Sequence, residues 1–261
     1  MQLPKNFPSN LSLRFVENSR IRGVKMMFDG QGSLVLKKHK RISKKYCLEF
    51  LNANMEWVLS HFNAMQNFKI YKDKMYFFGE WREFDAVLLE LEEIKFLDEV
   101  FKFRQKKLID VESKKDSKEA LIYLLQKLWS NAVGTGDLKC KKTLEIFYRK
   151  ILESYVSKRI EIISKMMNLY PSSVEFGKSY RQLGCCHAKT QKIRFSLRLS
   201  LMPKNCIDSV IIHELAHLKC QNHSRDFWHF VNKFDTDPKQ AQLWLGEHKE
   251  NLQIYYKVFK F

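Results

Sequence analysis

The sequence predicts an α+β protein: a β-hairpin-rich N-terminal part, a helical middle, and a C-terminal part where a long helix and a small sheet flank one motif-bearing helix. Three observations predict it. Short β-type runs broken by Gly and Asp occupy residues 11 to 41 and return at 67 to 78. Apolar residues then recur at helical spacing over much of 85 to 169. The string His213-Glu214-Leu215-Ala216-His217 sits inside an apolar helical pattern that begins after Pro203. The division that follows is 1–84, 85–140 and 141–261.

In chain order, Arg22 to Phe28 and Ser33 to Lys38 flank Asp29-Gly30-Gln31-Gly32, which predicts a hairpin. Leu48, Leu51, Met55, Val58, Leu59 and Phe62 predict one helix over about Lys44 to Ala64 that covers it. A second hairpin is expected from Asn67 to Tyr71 and Met75 to Phe78 around Lys72-Asp73-Lys74. The middle section gives one helix through Val87, Leu91, Ile94, Leu97, Val100 and Phe101. After a charged stretch, Asp110 to Lys118, another runs through Leu121, Leu124, Leu125 and Leu128. Asn131 to Asp137 breaks the pattern. Lys141 to Leu169 is one long scaffold helix ended by Pro171, and Val174 to Lys178 and Lys192 to Leu199 are strands joined by the Gly184-Cys185-Cys186-His187 loop.

Composition bounds the function. A chain of 261 residues with 45% hydrophobic content is long enough to bury a core without staples. Six cysteines without regular spacing, two of them adjacent, argue against a secreted disulfide framework and for the cytoplasm. No stretch approaches a membrane span. The net charge is +17, and its placement is uneven: 15 basic against 7 acidic residues in 1–84, 10 against 11 in 85–140, and 21 against 11 in 141–261. Such a field favours polyanions such as nucleotides or nucleic acid, and equally serves only to keep a protein dissolved. Lys37, Lys38, Lys40 and Arg41 are the candidate phosphate contacts.

The chemistry lies in residues 205–228. On a helix, His213 and His217 project from one face a turn apart and can grip one metal ion. Glu214 leans toward the same cavity without ligating, where a carboxylate can take a proton from activated water. Asn205 is a candidate cap and Asp208 suits the helix dipole. After a turn at Lys219 to Asn222, His223 precedes the cap Ser224 of a further helix, placed to return as a third ligand. Cys185, Cys186 and His187 as a second metal site, His229 in place of His223, and Asp235, Asp237 or Glu247 as further ligands are the local rivals. Tyr180 and Arg181 are candidate substrate contacts.

His213 to Trp228, HELAHLKCQNHSRDFW, resembles the zinc-site signature of the YgjP-like metal-dependent hydrolases, relatives of the WLM and SprT-like zinc metallopeptidases. That signature is HELxH, five residues, His, then Phe-Trp. Upstream, Gln182-Leu183-Gly184-Cys185-Cys186 stands where the family usually shows Arg-Trp-Gly-Ser-Cys, and Gly184 and Cys186 match. The likeness covers 141 to 245 well and 11 to 84 loosely, which makes 85–140 a helical insertion and 141–261 a zincin-like catalytic domain. It implies zinc on His213, His217 and His223, Glu214 as catalytic base, and a peptide or protein substrate. A metal-dependent nucleotide hydrolase and a DNA-associated protease or nucleic-acid-binding module are the alternatives.

Overall fold

A computed structural model describes residues 3–29, 32–66, 70–93, 118–179, 181–248 and 250–259. The expectations for Asn67 to Lys69, Ile94 to Phe101, Asp110 to Ser117 and Tyr180 lie outside the described residues, as do Gly30 and Gln31. The chain divides into two compact units, Met1–Lys69 and Ile70–Phe261.

In the first unit, strands β1 (Leu13–Glu17), β2 (Val24–Phe28) and β3 (Leu34–Lys38) form a sheet of order β1-β3-β2, with β3 parallel to β1 and antiparallel to β2. The central strand is the most apolar: Leu34, Val35 and Leu36 are buried. The β2–β3 turn holds because the Asp29 carboxylate accepts from the Ser33 amide at 2.9 Å and Gly32 takes φ +82°. The single covering helix expected here is two, α1 (Lys44–Ala53) and α2 (Met55–Gln66). Asn54 divides them, its side-chain amide donating back to the Phe50 carbonyl at 2.7 Å, where it competes with the helix ladder. Cys47 and Leu51 of α1 with Met55, Val58 and Phe62 of α2 close over Leu11, Leu34 and Leu36. Burial on this scale is worth roughly 1.5–3 kcal/mol for each large side chain.

The second unit begins with a hairpin of β4 (Met75–Phe77) and β5 (Glu80–Arg82). The turn expected at Lys72 to Lys74 falls instead at Phe78-Gly79, both with positive φ, and Gly79 is required there because a Cβ would meet Pro203 at 2.7 Å. The hairpin belongs with the C-terminal residues for a physical reason. Tyr148 donates its hydroxyl to the Tyr76 carbonyl at 2.5 Å, the Phe78 amide donates to Ser200, and the Trp129 indole donates to Tyr71. The division therefore falls at residue 69 rather than 84. Helices α3 (Phe84–Glu93) and α4 (Lys118–Ser130) follow, the latter continuing into a π turn, Asn131–Thr135, closed by Gly136 at φ +74°. Trp129 is fully buried, so α4 is part of this unit's core.

The long helix α5 (Leu138–Met167) starts where the Asp137 carboxylate accepts from the Cys140 amide and ends at Asn168 in the left-handed region. Its buried stripe includes Leu144, Phe147, Tyr148, Ile151, Leu152 and Val156. Strands β6 (Ser173–Gly177), β7 (Gly184–His187) and β8 (Lys192–Ser196) form a sheet of order β6-β8-β7, leaving β7 at an edge. A short 3-10 turn, Leu197–Leu201, carries the chain to Pro203 and α6 (Lys204–Ala216). Helices α7 (Arg225–Val231), α8 (Gln240–Glu247) and α9 (Glu250–Phe259) complete the unit. The architecture is α+β. None of the described helices is long and apolar enough to cross a membrane.

Candidate metal centre

Helix α6 is held by long-range polar contacts rather than by the caps its sequence offers. Pro203 occupies the cap position, and Asn205 instead donates to Gln240 on α8 at 2.7 Å. Asp208 is turned to α5, accepting from Arg159 at 2.9 Å and from the Tyr155 hydroxyl at 3.0 Å. Burial, then the Asp208 carboxylate, pushes the Tyr155 phenol well up. From the opposite side, the buried Ser209 hydroxyl donates to Asp235, whose carboxylate also accepts from the Asp237 amide. The helix is pinned on both flanks. Ile207, Ile211 and Leu215 fill the core, and the remaining face carries His213, Glu214 and His217.

The three imidazoles converge. His213 Nε2 lies 3.2 Å from His217 Nε2 and 3.0 Å from His223 Nε2, and all three ligand atoms lie within 4.8 Å of one another. Among the described residues this is the one group of three or more His, Cys, Asp or Glu side chains able to share an ion. His223 returns from the turn because Ser224 caps α7 by accepting from the Phe227 amide, and Trp228 stacks on the His223 ring at 5.8 Å. The Phe227 ring, fully buried, touches all three imidazoles at 4.6–5.0 Å.

The donor set suits a metal. His217 Nδ1 donates to the Cys220 carbonyl at 2.9 Å, so its Nε2 keeps a free lone pair. Burial and the two neighbouring imidazoles push His213 down to about 4, and burial lowers His217. Both rings therefore stay neutral near pH 7, the form that ligates. Three nitrogens on one tetrahedral ion at 2.0–2.1 Å stand about 3.3 Å apart, close to the two shortest spacings seen.

Glu214 lies against β7 and lines the same cavity as His213. It is 6% exposed, and burial pushes its carboxyl up to about 7 against the pull of the Cys186 amide, which donates to it. Gly184 is required beside it: a Cβ there would stand 2.5 Å from Glu214 Cγ and 2.6 Å from Oε1. The same carboxylate, after burial, raises the Cys186 thiol to about 11, so that side chain is an inert neutral neighbour. The sequence places Gly184 and Cys186 in a strand-joining loop and a family-like pattern, and Cys186 in a rival metal site. Their hold on Glu214 is a contact across 28 or more residues that no local spacing signals.

The family of YgjP-like metallopeptidase domains matches residues 22–248. The chain belongs to the YgjP-like family. It is accordingly a metallopeptidase-family domain, which makes it a metal-dependent hydrolase by class. No curated protein and no solved structure matches the chain.

Other candidates in this YgjP-like chain sit apart from the histidines or are already engaged. Cys185 Sγ lies 3.8 Å from His187 Nε2 and neither joins the cluster. Asp235 is committed to Ser209 and Asp237, while His229 and Asp237 are exposed. Arg181 lines a cavity of about 270 Å³ that also reaches His213 and Glu214. In the first unit, Lys38 is buried and ion-paired with Glu17 at 2.8 Å, whereas Lys40 and Arg41 are exposed and Lys37 is half-buried.

Proposed function

We propose that this protein is a zinc-dependent peptidase with a zincin-like centre, in which His213, His217 and His223 hold the ion and Glu214 is the general base. The observation that carries this reading is the meeting of three Nε2 atoms within 4.8 Å on one side of a helix whose next residue is a buried carboxylate. A bound zinc ion supplies Lewis acidity, which makes water a nucleophile near neutral pH and offsets negative charge growing on a polarised carbonyl oxygen.

The chain's own residues do the rest. Glu214 takes the proton from the attacking water and hands it to the departing amine nitrogen. A carboxyl raised by burial to about 7 can both take up and release that proton near neutral pH. The Cys186 amide aims the carboxylate, and Gly184 leaves room for it. Neutral imidazoles on His213 and His217 keep their lone pairs inward. Strand β7 supports a peptide substrate: it lies at the sheet edge beside Glu214, where an extended chain can add by main-chain hydrogen bonds.

The test is Glu214→Gln in zinc-replete protein on a panel of unfolded protein substrates. Bound zinc, measured by mass spectrometry, is expected to stay at the parent's level while turnover falls by about 10²–10⁴-fold. A variant as active as the parent removes Glu214 from the mechanism. Pyrophosphate release from nucleoside triphosphates without peptide cleavage removes the peptidase reading.

A further inference from the structure

The first unit gathers its charge at one end. Residues 1–69 hold 12 basic against 4 acidic side chains. The strand register brings many of the basic ones together. Lys38 pairs with Glu17 at the end of β1 and with Val24 at the start of β2. The β1–β2 connection, with Arg20 and Arg22, and the β3–α1 connection, with Lys40 and Arg41, therefore leave the sheet at the same end. Lys25 and Lys37 stand one residue in, directly opposite each other across the β2–β3 ladder, a spacing of about 5 Å between Cβ atoms. They alternate with Met26 and Leu36, so they lie on the face away from the cluster that α1 and α2 cover. Among the described residues none of these six cations is ion-paired, whereas Arg14, nearer the other end, is held by Asp29 at 3.2 Å. The Glu17 carboxyl is taken by Lys38. That hydrogen bond holds it low, and the fields of Lys38, Lys40 and Lys44 lower it further, which places those lysines round the same corner.

We propose that this end of the first unit binds single-stranded nucleic acid, with Lys25, Lys37, Lys40 and Arg41 on phosphates and Tyr46 stacking on a base. Two arrangements carry the proposal, because each costs the folded unit stability that a bound polyanion restores. Like charges directly opposite on neighbouring strands repel, as Lys25 and Lys37 do. Helix α1 opens on Lys44 and Lys45 with no acidic residue in its first turn, so two cations sit where the helix dipole is already positive. Lysines that serve only to keep a protein dissolved need neither placement. Tyr46 follows in the same turn and is 55% exposed. An exposed aromatic face in a basic setting takes up an unpaired base, which a duplex keeps stacked inside itself. The surface belongs to the first unit alone and is independent of the peptidase reading.

The deciding measurement is fluorescence anisotropy with the full chain and labelled probes of about 20 nucleotides. The probes are single-stranded DNA, single-stranded RNA of the same sequence, and the DNA duplex. The single strands are expected to bind more tightly than the duplex, and to lose about 50-fold in affinity between about 50 and 200 mM salt if four phosphates are contacted. The double change Lys25→Gln with Lys37→Gln is expected to weaken binding by about tenfold, and Tyr46→Ala to weaken the single strands alone by about tenfold. Lys158→Gln with Lys189→Gln removes the same charge from exposed positions of the second unit and is expected to leave affinity within about twofold. Lys25→Gln by itself is expected to hold or raise the melting temperature, since it relieves the cross-strand repulsion. Tighter binding of DNA or of RNA sustains the proposal and names the sugar preferred. Absent or salt-independent binding, a duplex held as tightly as the single strands, capture of phosphatidylserine vesicles in their place, an equal loss from the second-unit control, or a lower melting temperature for Lys25→Gln overturns it.

Discussion

The two units contain three-stranded sheets of the same topology, and the candidate metal centre lies beside the second of them. In each, the third strand is central, parallel to the first and antiparallel to the second: β1-β3-β2 in one, β6-β8-β7 in the other. In the first unit the covering helices bring Cys47, Leu51, Met55, Val58 and Phe62 to the sheet's apolar cluster. In the second, α6 brings a carboxylate against the antiparallel edge strand and two imidazoles beside it. The arrangement of strands is thus indifferent to chemistry. What matters is a few side chains on one helix and the room the edge strand leaves for them.

The glycines at the starts of the two antiparallel edge strands give the sharpest way to break that comparison. Gly184→Ala drives a Cβ to 2.5 Å from Glu214 Cγ, and turnover is expected to fall about 100-fold through displacement of the base, with bound zinc retained. Gly23→Ala, before β2, meets nothing within 4 Å and is expected to leave turnover, zinc and stability as they are. Equal effects from the two changes, read as kcat and zinc content, would dissolve the distinction.

Core truncation is the next step down. Phe227→Ala removes the ring that touches all three imidazoles, with an expected cost of about 3–5 kcal/mol in denaturant melts and about 10–100-fold weaker zinc binding in chelator competition. Leu51→Ala in the first unit also costs about 2–5 kcal/mol, but zinc affinity is expected to hold.

A pH series on metal-free protein isolates Glu214. Its folded carboxyl is raised from 4.5 to about 7 by burial, so the folded state holds this proton more tightly than the unfolded state does. The resulting stability is complete below pH 4.5 and is lost as pH rises through about 7. Glu214→Gln has no charge to bury. Its stability relative to the parent, read from denaturant melts, is therefore expected to climb between pH 4.5 and 7 and then level off, a gain of about 3 kcal/mol. A difference that is flat in pH would place the carboxyl in water.

The smallest effect is expected at Glu17→Gln. Its partner Lys38 is buried, but Glu17 itself is largely exposed, so the melting temperature is expected to move by no more than about 2 °C and zinc content not at all.

Much of this was legible in order along the chain. The hairpin strands around Asp29, a long helix expected over 141–169 and found over 138–167, and the separation of His213, His217 and His223 all follow from short-range rules, and the structure brings those three rings together. Asn54 shows where such rules run out. Apolar spacing continues straight through it, yet its side chain takes the Phe50 carbonyl and splits one expected helix into two. The β4–β5 hairpin is a second case, because its turn is set by Pro203, more than a hundred residues away.

The sequence by itself determined which side chains share a helix face, because a 3.6-residue period and a four-residue step fix that within a single turn. Only the tertiary structure decided that Asp208 faces Arg159 and Tyr155, that Ser209 meets Asp235, and that Gly184 and Cys186 enclose Glu214. Those contacts join residues far apart in the chain. They exist only once the core beneath them has closed, and no local preference encodes which partner a polar group then finds.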